Sequence, residues 1–249
     1  MIILYIFLGA IFGSFLNVLI HRMPLNKSII LPSSHCPKCK ESIMWYNNIP
    51  IISYLLLKGK SSCCNKHITL RYPIVELLSS LLWVWSYFYL NTYHYQILFL
   101  IISSCLLVIF FTDYNQFFIP VELNFIIFLS ALLHFLIFDI NNMQYHFFSM
   151  IVLSVYFLVL LLLSSYLLKK ETMGYGDIIL IAVTTFWVGL IDGMIIIFIA
   201  SIFSIIHWIV LKIITKDENI ILPFGSTISL AAILLFVLKH TFKIETNLF

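Results

Sequence analysis

Long apolar runs, each close to twenty residues, alternate with short polar breaks along almost the whole chain. About 20 helical residues are needed to cross the hydrocarbon of a bilayer. Eight segments come near that length: 2–21, 74–91, 96–113, 119–138, 147–168, 176–191, 194–213 and 222–239. The least defined boundary is Asp192-Gly193, which either separates two spans or kinks one longer segment. The pattern predicts an all-α polytopic membrane protein of about eight transmembrane helices. One stretch departs from it. Residues 22–73 are polar and form a loop domain after the first span, so the chain divides into 1–21, 22–73 and a membrane core over 74–249.

Composition supports this reading. Of 249 residues, 62% are hydrophobic and only 10% charged, and the mean hydropathy is +1.06. A soluble domain carries about 25% charged residues, so soluble classes are excluded, and no nucleic-acid partner is expected; the lipid bilayer is. Basic residues in the short loops set the orientation. If 22–73 is cytoplasmic, that face collects Arg22, Lys27, Lys38, Lys40, Lys58, Lys60, Lys66, Arg71, Lys169, Lys170, Lys212 and Lys216, against Lys239 and Lys243 opposite. The N-terminus is then outside. The first span has no basic residue before it and Arg22 after it, as a retained anchor does.

Against this background, Asp113 and Asp177 stand out at the edges of apolar runs. An ionisable group near the hydrocarbon costs several kcal/mol and by default marks a functional site. The deduced topology puts both at the cytoplasmic ends of their helices. Two carboxylates within reach of one water titrate as a coupled pair. One then acts as base toward water while the other, as acid, polarises a scissile carbonyl, which is aspartic-protease chemistry. Gly174 and Gly176, in Gly174-Tyr175-Gly176-Asp177, let the backbone bend and let a substrate approach closely. Taken alone, each acid also reads as an interfacial or capping residue.

The loop domain carries Cys36-Pro37-Lys38-Cys39 and then Cys63-Cys64. The C-x-x-C spacing lets two thiolates bind one zinc ion, and a tetrahedral site needs four ligands. Cysteines on a reducing face are expected as metal ligands rather than disulfides. Adjacent thiolates chelate one ion awkwardly, so His35 and His67 are alternative ligands. Cys105 lies alone in a span and is read as packing.

Four blocks together resemble the type IV prepilin peptidases, membrane aspartic proteases of the G-x-G-D class. They are Phe12-Gly13-Ser14-Phe15-Leu16-Asn17 through Pro24; the cysteine loop with Asn48-Ile49-Pro50, Ser53-Tyr54-Leu55, Gly59-Lys60, Arg71-Tyr72-Pro73 and Glu76; Asp113 with Ile119-Pro120; and Gly174-Tyr175-Gly176-Asp177. Pro223-Phe224-Gly225 resembles a further family block. The resemblance implies catalysis by Asp113 and Asp177 at the cytoplasmic face of a bacterial inner membrane. It implies prepilin or pseudopilin precursors as substrates, for pili, secretion or DNA uptake. It also implies N-methylation of the new terminus with S-adenosylmethionine, a function the family associates with the cysteine loop and its metal. Three positions depart from the family pattern. Alignment on Ile68-Thr69-Leu70-Arg71 puts Ser61 at the first cysteine of the second pair and Cys64 at its second; Ile179 replaces a common lysine; and Ser226 replaces a common proline.

Two other classes remain. Asp113, Asp177 and Glu122 can be read as a proton or cation relay of a transporter, although the acids gather at one face rather than at the midplane. An inactive scaffold for pilus assembly is the second. Glu76 belongs to the Arg71-Tyr72-Pro73 block and is read as a partner for a basic residue. Glu41, Asp139, Glu171, Asp192, Asp217 and Glu218 are read as peripheral to the site, and His134, His146 and His207 have no assigned role.

Overall fold

A computed structural model describes residues 1–31, 35–36, 39, 41–169, 173–215 and 221–244. Pro37, Lys38, Lys40, Lys170, Glu171, Lys216, Asp217 and Glu218 lie outside the described residues. Among those described, the architecture is helical, with two isolated antiparallel bridges, His35 with Ser42 and Lys60 with His67. The helices are α1 (Ile2–Arg22), the short α2 (Ile52–Leu56), α3 (Arg71–Tyr89), α4 (Tyr93–Gln116), α5 (Val121–Phe138), α6 (Ile140–Leu168), α7 (Tyr175–Val188), α8 (Leu190–Thr215) and α9 (Phe224–Phe242).

Every expected span has a helix, but six rather than eight are long and apolar enough to cross a membrane: α1, α4, α5, α6, α8 and α9. The two others fall short for different reasons. α3 has 19 residues, yet it begins with Arg71 and buries Glu76, Ser79, Ser80 and Ser86. α7 is apolar but has only 14 residues. Large side chains such as Ile137, Phe198 and Ile213 are exposed, as helices that face lipid require.

The chain forms two compact units, Met1–Leu100 and Ile101–Phe249. In the first, α1 lies against α3 with almost no space between the backbones. A Cβ on Gly9 would meet Ser80 Cα at 2.6 Å, and one on Gly13 would meet Glu76 Cα at 2.6 Å. Small residues four apart allow this approach, the usual device of packed membrane helices. Ser80 Oγ donates to Ile6 O at 3.2 Å, and Asn17 Nδ2 donates to Tyr72 O at 3.0 Å. These bonds tie together two helices whose apolar faces gain little from leaving lipid.

In the second unit α7 is the buried centre, packed by α5, α6, α8 and α9. Its Phe186 meets the rings of Phe128, Phe135 and Phe147. The break between α7 and α8 lies at Gly189, with φ +91°, not at Asp192-Gly193. A residue in that backbone region favours glycine and ends a helix cleanly. Asp192 instead sits in the first turn of α8 and forms an ion pair with Lys239 of α9.

Candidate active site and cysteine cluster

Asp113 comes from the last turn of α4 and Asp177 from the first turn of α7. Both meet the N-terminus of α9. The first amides of a helix have no partner within it, and α9 opens Phe224-Gly225-Ser226 after Pro223. The Ser226 N–H donates to Asp113 Oδ2 at 2.6 Å, and the Gly225 backbone amide hydrogen-bonds to Asp177. Two consecutive orphan donors therefore hold two carboxylates from different helices. The carboxylates are also close enough to act on each other electrostatically. Asp113 is buried, at 5% exposure, while Asp177 is half-buried and Tyr175 beside it is exposed. The Asp177 side is thus the open side of the site.

Ile119 is wedged beneath this arrangement. A Cβ on Gly176 would lie 3.3 Å from Ile119 Cβ, and one on Gly225 would lie 2.5 Å from Ile119 Cδ1 and 3.2 Å from Asp113 Oδ2. Gly176 and Gly225 are therefore close-packing positions. Gly174 is the residue before α7, exposed and extended at φ −75°, and its carbonyl accepts the Asp177 N–H at 3.1 Å. The sequence pointed to Asp113, Asp177, Gly174 and Gly176. It placed Ile119 and Gly225 in family-like blocks and marked Ser226 as a departure, but gave none of them a role. The Gly225 and Ser226 amides leave no side-chain signature, and the packing of Ile119 shows only once the facing glycines are known.

The four cysteines of the loop domain come together. The Sγ atoms of Cys36, Cys39, Cys63 and Cys64 lie within 4.8 Å of one another. Two turns present them. One is closed by Cys36 N–H to Glu41 O at 2.8 Å beside the His35–Ser42 bridge, the other by Ser61 N–H to Lys66 O at 2.8 Å beside the Lys60–His67 bridge. Asn65 at φ +54° tightens the second turn enough for both adjacent cysteines to face inward.

A tetrahedral site with Zn–S bonds of about 2.3 Å has S···S edges of about 3.8 Å. Cys36 Sγ and Cys64 Sγ are 3.7 Å apart, and Cys39 Sγ and Cys63 Sγ are 2.9 Å apart. The donor set and its size fit zinc. Cys63, not Ser61, supplies the fourth sulfur. Ser61 Oγ lies 2.9 Å from Cys63 Sγ and donates to Cys36 Sγ at 3.5 Å, as a residue supporting the ligands from outside. His35 and His67 do not join the cluster. The hydrogen shared with Cys63 pushes the Cys39 thiol up to about 12, so a metal entering this cluster must displace protons.

Comparison with known proteins matches both halves of the chain. The bacterial peptidase A24 N-terminal domain matches residues 7–90, and the type IV leader peptidase family matches residues 100–209. A prepilin leader peptidase/N-methyltransferase of Klebsiella pneumoniae is 34% identical over 187 residues, covering 73% of this chain and 82% of that protein. A type 4 prepilin-like proteins leader peptide-processing enzyme of Escherichia coli is 30% identical over 253 residues, covering 94% and 93%. A prepilin leader peptidase/N-methyltransferase of Neisseria gonorrhoeae is 29% identical over 237 residues, covering 83% and 80%. No solved structure matches the chain. With both domain models matched in order and these relatives covered over most of their length, the chain belongs to the type IV leader peptidase family.

Proposed function

We propose that the protein is an aspartic endopeptidase of the bacterial inner membrane. It removes the leader peptide from type IV prepilins or pseudopilins at the cytoplasmic face, with Asp113 and Asp177 as the catalytic pair and its own N-terminus outside. The observation that carries this reading is the convergence of both carboxylates on two consecutive free amides in the first turn of α9.

The chemistry follows from a coupled acid pair. One carboxylate takes a proton from water as its oxygen attacks the scissile carbonyl carbon, and the other, protonated, donates to the carbonyl oxygen. As the C–N bond breaks, the proton passes to the leaving amine. The α9 amides are fixed dipoles that cost no reorganisation during the reaction. Gly174, exposed and free of a side chain, leaves the open side of Asp177 to an extended substrate backbone, while Gly176 lets α7 close on Ile119.

The names of the relatives support a second step, methylation of the new N-terminus. S-adenosylmethionine supplies an electrophilic methyl group for this when bound. Cys36, Cys39, Cys63 and Cys64 would hold the zinc ion, which would tie the two cysteine-bearing segments of the loop domain together.

The test is cleavage of a co-expressed prepilin in membranes by wild type, Asp113→Asn and Asp177→Asn. Wild type is expected to cleave, and each variant to accumulate in the membrane without cleaving. A variant that cleaves at the wild-type rate removes that residue from the catalytic pair. A wild type silent against several prepilins overturns the substrate assignment.

A further inference from the structure

The first unit contains a cavity of about 420 Å³ that has no part in the peptide-cleaving chemistry above. Asn17 of α1, Tyr54 of α2 and Arg71 and Glu76 of α3 line it, and Cys36 and Ser61 of the cysteine cluster form part of its wall. This volume lies in the range of small-molecule sites.

Of its charged groups, Arg22 donates to Ser28 O at 3.0 Å and Lys66 is exposed to solvent; Arg71 and Glu76 do not pair with each other. Arg71 opens α3, and its guanidinium rests over the Tyr72 ring at 5.1 Å. Its buried Nε has no hydrogen-bond partner. Glu76, 7% exposed, receives only neutral donors: the Ile51 N–H at 2.7 Å and the Ser14 side chain. The Ile51 N–H is aimed there by a backbone that a β-branched residue rarely adopts. Ile51 has φ +60° and ψ −50°, the centre of a γ-turn closed by Ile52 N–H to Pro50 O at 2.6 Å. Strain of this kind persists where the surroundings impose it, often at ligand sites. Asn17 Oδ1, in the same wall, is a buried acceptor without a partner.

A half-buried arginine with a buried Nε and a buried glutamate face one cavity, and with neither having an ion partner among the described residues they are costly as they stand. An anion alone would leave Glu76 uncompensated, and a cation alone would leave Arg71 so. An α-amino-acid head, carrying a carboxylate and an ammonium, answers both. The rest of the wall carries the aliphatic side chains of Val18, Ile43, Ile49, Leu57 and Ile68 and the ring of Tyr54, and it suits a larger body attached to that head, with an aromatic face that can meet a cationic centre on it.

We infer that this cavity of the N-terminal unit is the binding site for the methyl donor, with Arg71 taking the carboxylate of S-adenosylmethionine and Glu76 its ammonium. This rests on the methyl-transfer half of the function proposed above. It places the donor beside the cysteine cluster, so a metal held there would order one wall of the donor site through Cys36.

The test uses the full chain in lipid nanodiscs and titrates the product analogue S-adenosylhomocysteine by calorimetry. Wild type is expected to bind one equivalent. Arg71→Met and Glu76→Gln are each expected to raise Kd at least tenfold, with Arg71→Lys recovering part of the loss. Zinc content and ligand-free thermal midpoint identify any variant that has lost its fold, and Arg71→Lys remains decisive if the harsher variants do so. A wild type that does not bind, or variants that bind as wild type does, overturn the assignment. Binding of inorganic phosphate in place of the analogue makes the cavity an anion site and also overturns it. Leader cleavage on the same preparations separates the two readings: cleavage without analogue binding sinks the donor site and leaves the peptidase standing, and the reverse result does the opposite.

Discussion

The backbone N–H of Ser226 donates to Oδ2 of Asp113 at 2.6 Å, joining the start of α9 to the end of α4. The donor belongs to the main chain, so every residue at 226 except proline keeps it; a family member with proline there lacks this bond, which makes it a feature of this chain's own site. Ser226→Pro removes the donor, and Ser226→Ala keeps it; both lose the Ser226 Oγ bond to Pro223 O. A bond from an amide to a charged group contributes about 1.5–3 kcal/mol, so Ser226→Pro is expected to slow cleavage about 10- to 100-fold. Ser226→Ala should stay near wild type. Equal rates for the two would remove the amide from the machinery.

Ile119 and Gly225 give a second prediction. Gly225→Ala places a methyl group 2.5 Å from Ile119 Cδ1 and pushes α9 away from both acids. Ile119→Val deletes that terminal carbon. The single Gly225→Ala variant is expected to lose most of its cleavage, and the double variant to regain part of it, a coupling that adjacent residues show and distant ones do not. The measurement is the initial rate on one prepilin for all four members of the cycle.

The cysteine cluster predicts one zinc per chain in metal analysis of the purified protein, and none in Cys64→Ser. Ser61→Ala removes the hydroxyl beside Cys36 and Cys63. Partners of metal ligands typically contribute 10- to 100-fold in affinity, and Ser61→Ala is expected to release zinc to a chelator at about tenfold lower concentration. Because binding displaces protons, zinc retention falls as pH falls. Protein that carries no zinc at neutral pH would refute the site.

The Asp192–Lys239 pair is largely shielded, with side-chain exposures of 12% and 18%. Breaking a buried pair strands a charge at a cost of about 3–5 kcal/mol. Asp192→Asn alone is expected to lower the thermal midpoint clearly, and adding Lys239→Met should restore much of it. A double variant no better than the single one would show that the pair contributes nothing.

Much of the site was legible because charge in an apolar run is conspicuous. Asp113 and Asp177 declare themselves by their cost, and Cys36 and Cys39 by their spacing. Spacing was a poorer guide to the other two cysteines. Alignment favoured Ser61 over Cys63, whereas the turn at Asn65 brings both adjacent thiols inward. The helix break was placed three residues late, because Asp192-Gly193 looks like a polar interruption and its partner Lys239 is 47 residues away. Ser226 and Gly225 were hidden for a simpler reason: what they contribute is the N–H that every residue but proline has. The tight α1–α3 seam was written in Gly9 and Gly13, but glycines four apart acquire meaning only when the facing helix is known.

The length of α7 has a consequence for the lipid. Fourteen residues rise about 21 Å, against about 30 Å of hydrocarbon in an ordinary bilayer. The helix that carries Asp177 cannot bring both ends to the surface, and its polar end is the one that tolerates a water-filled depression. Under the proposed function, peptide bonds just outside a substrate's apolar helix would then meet the acids without that helix being drawn out of the membrane. The depth of the depression follows bilayer thickness, so cleavage in vesicles of graded acyl-chain length is expected to be fastest where the bilayer is thin.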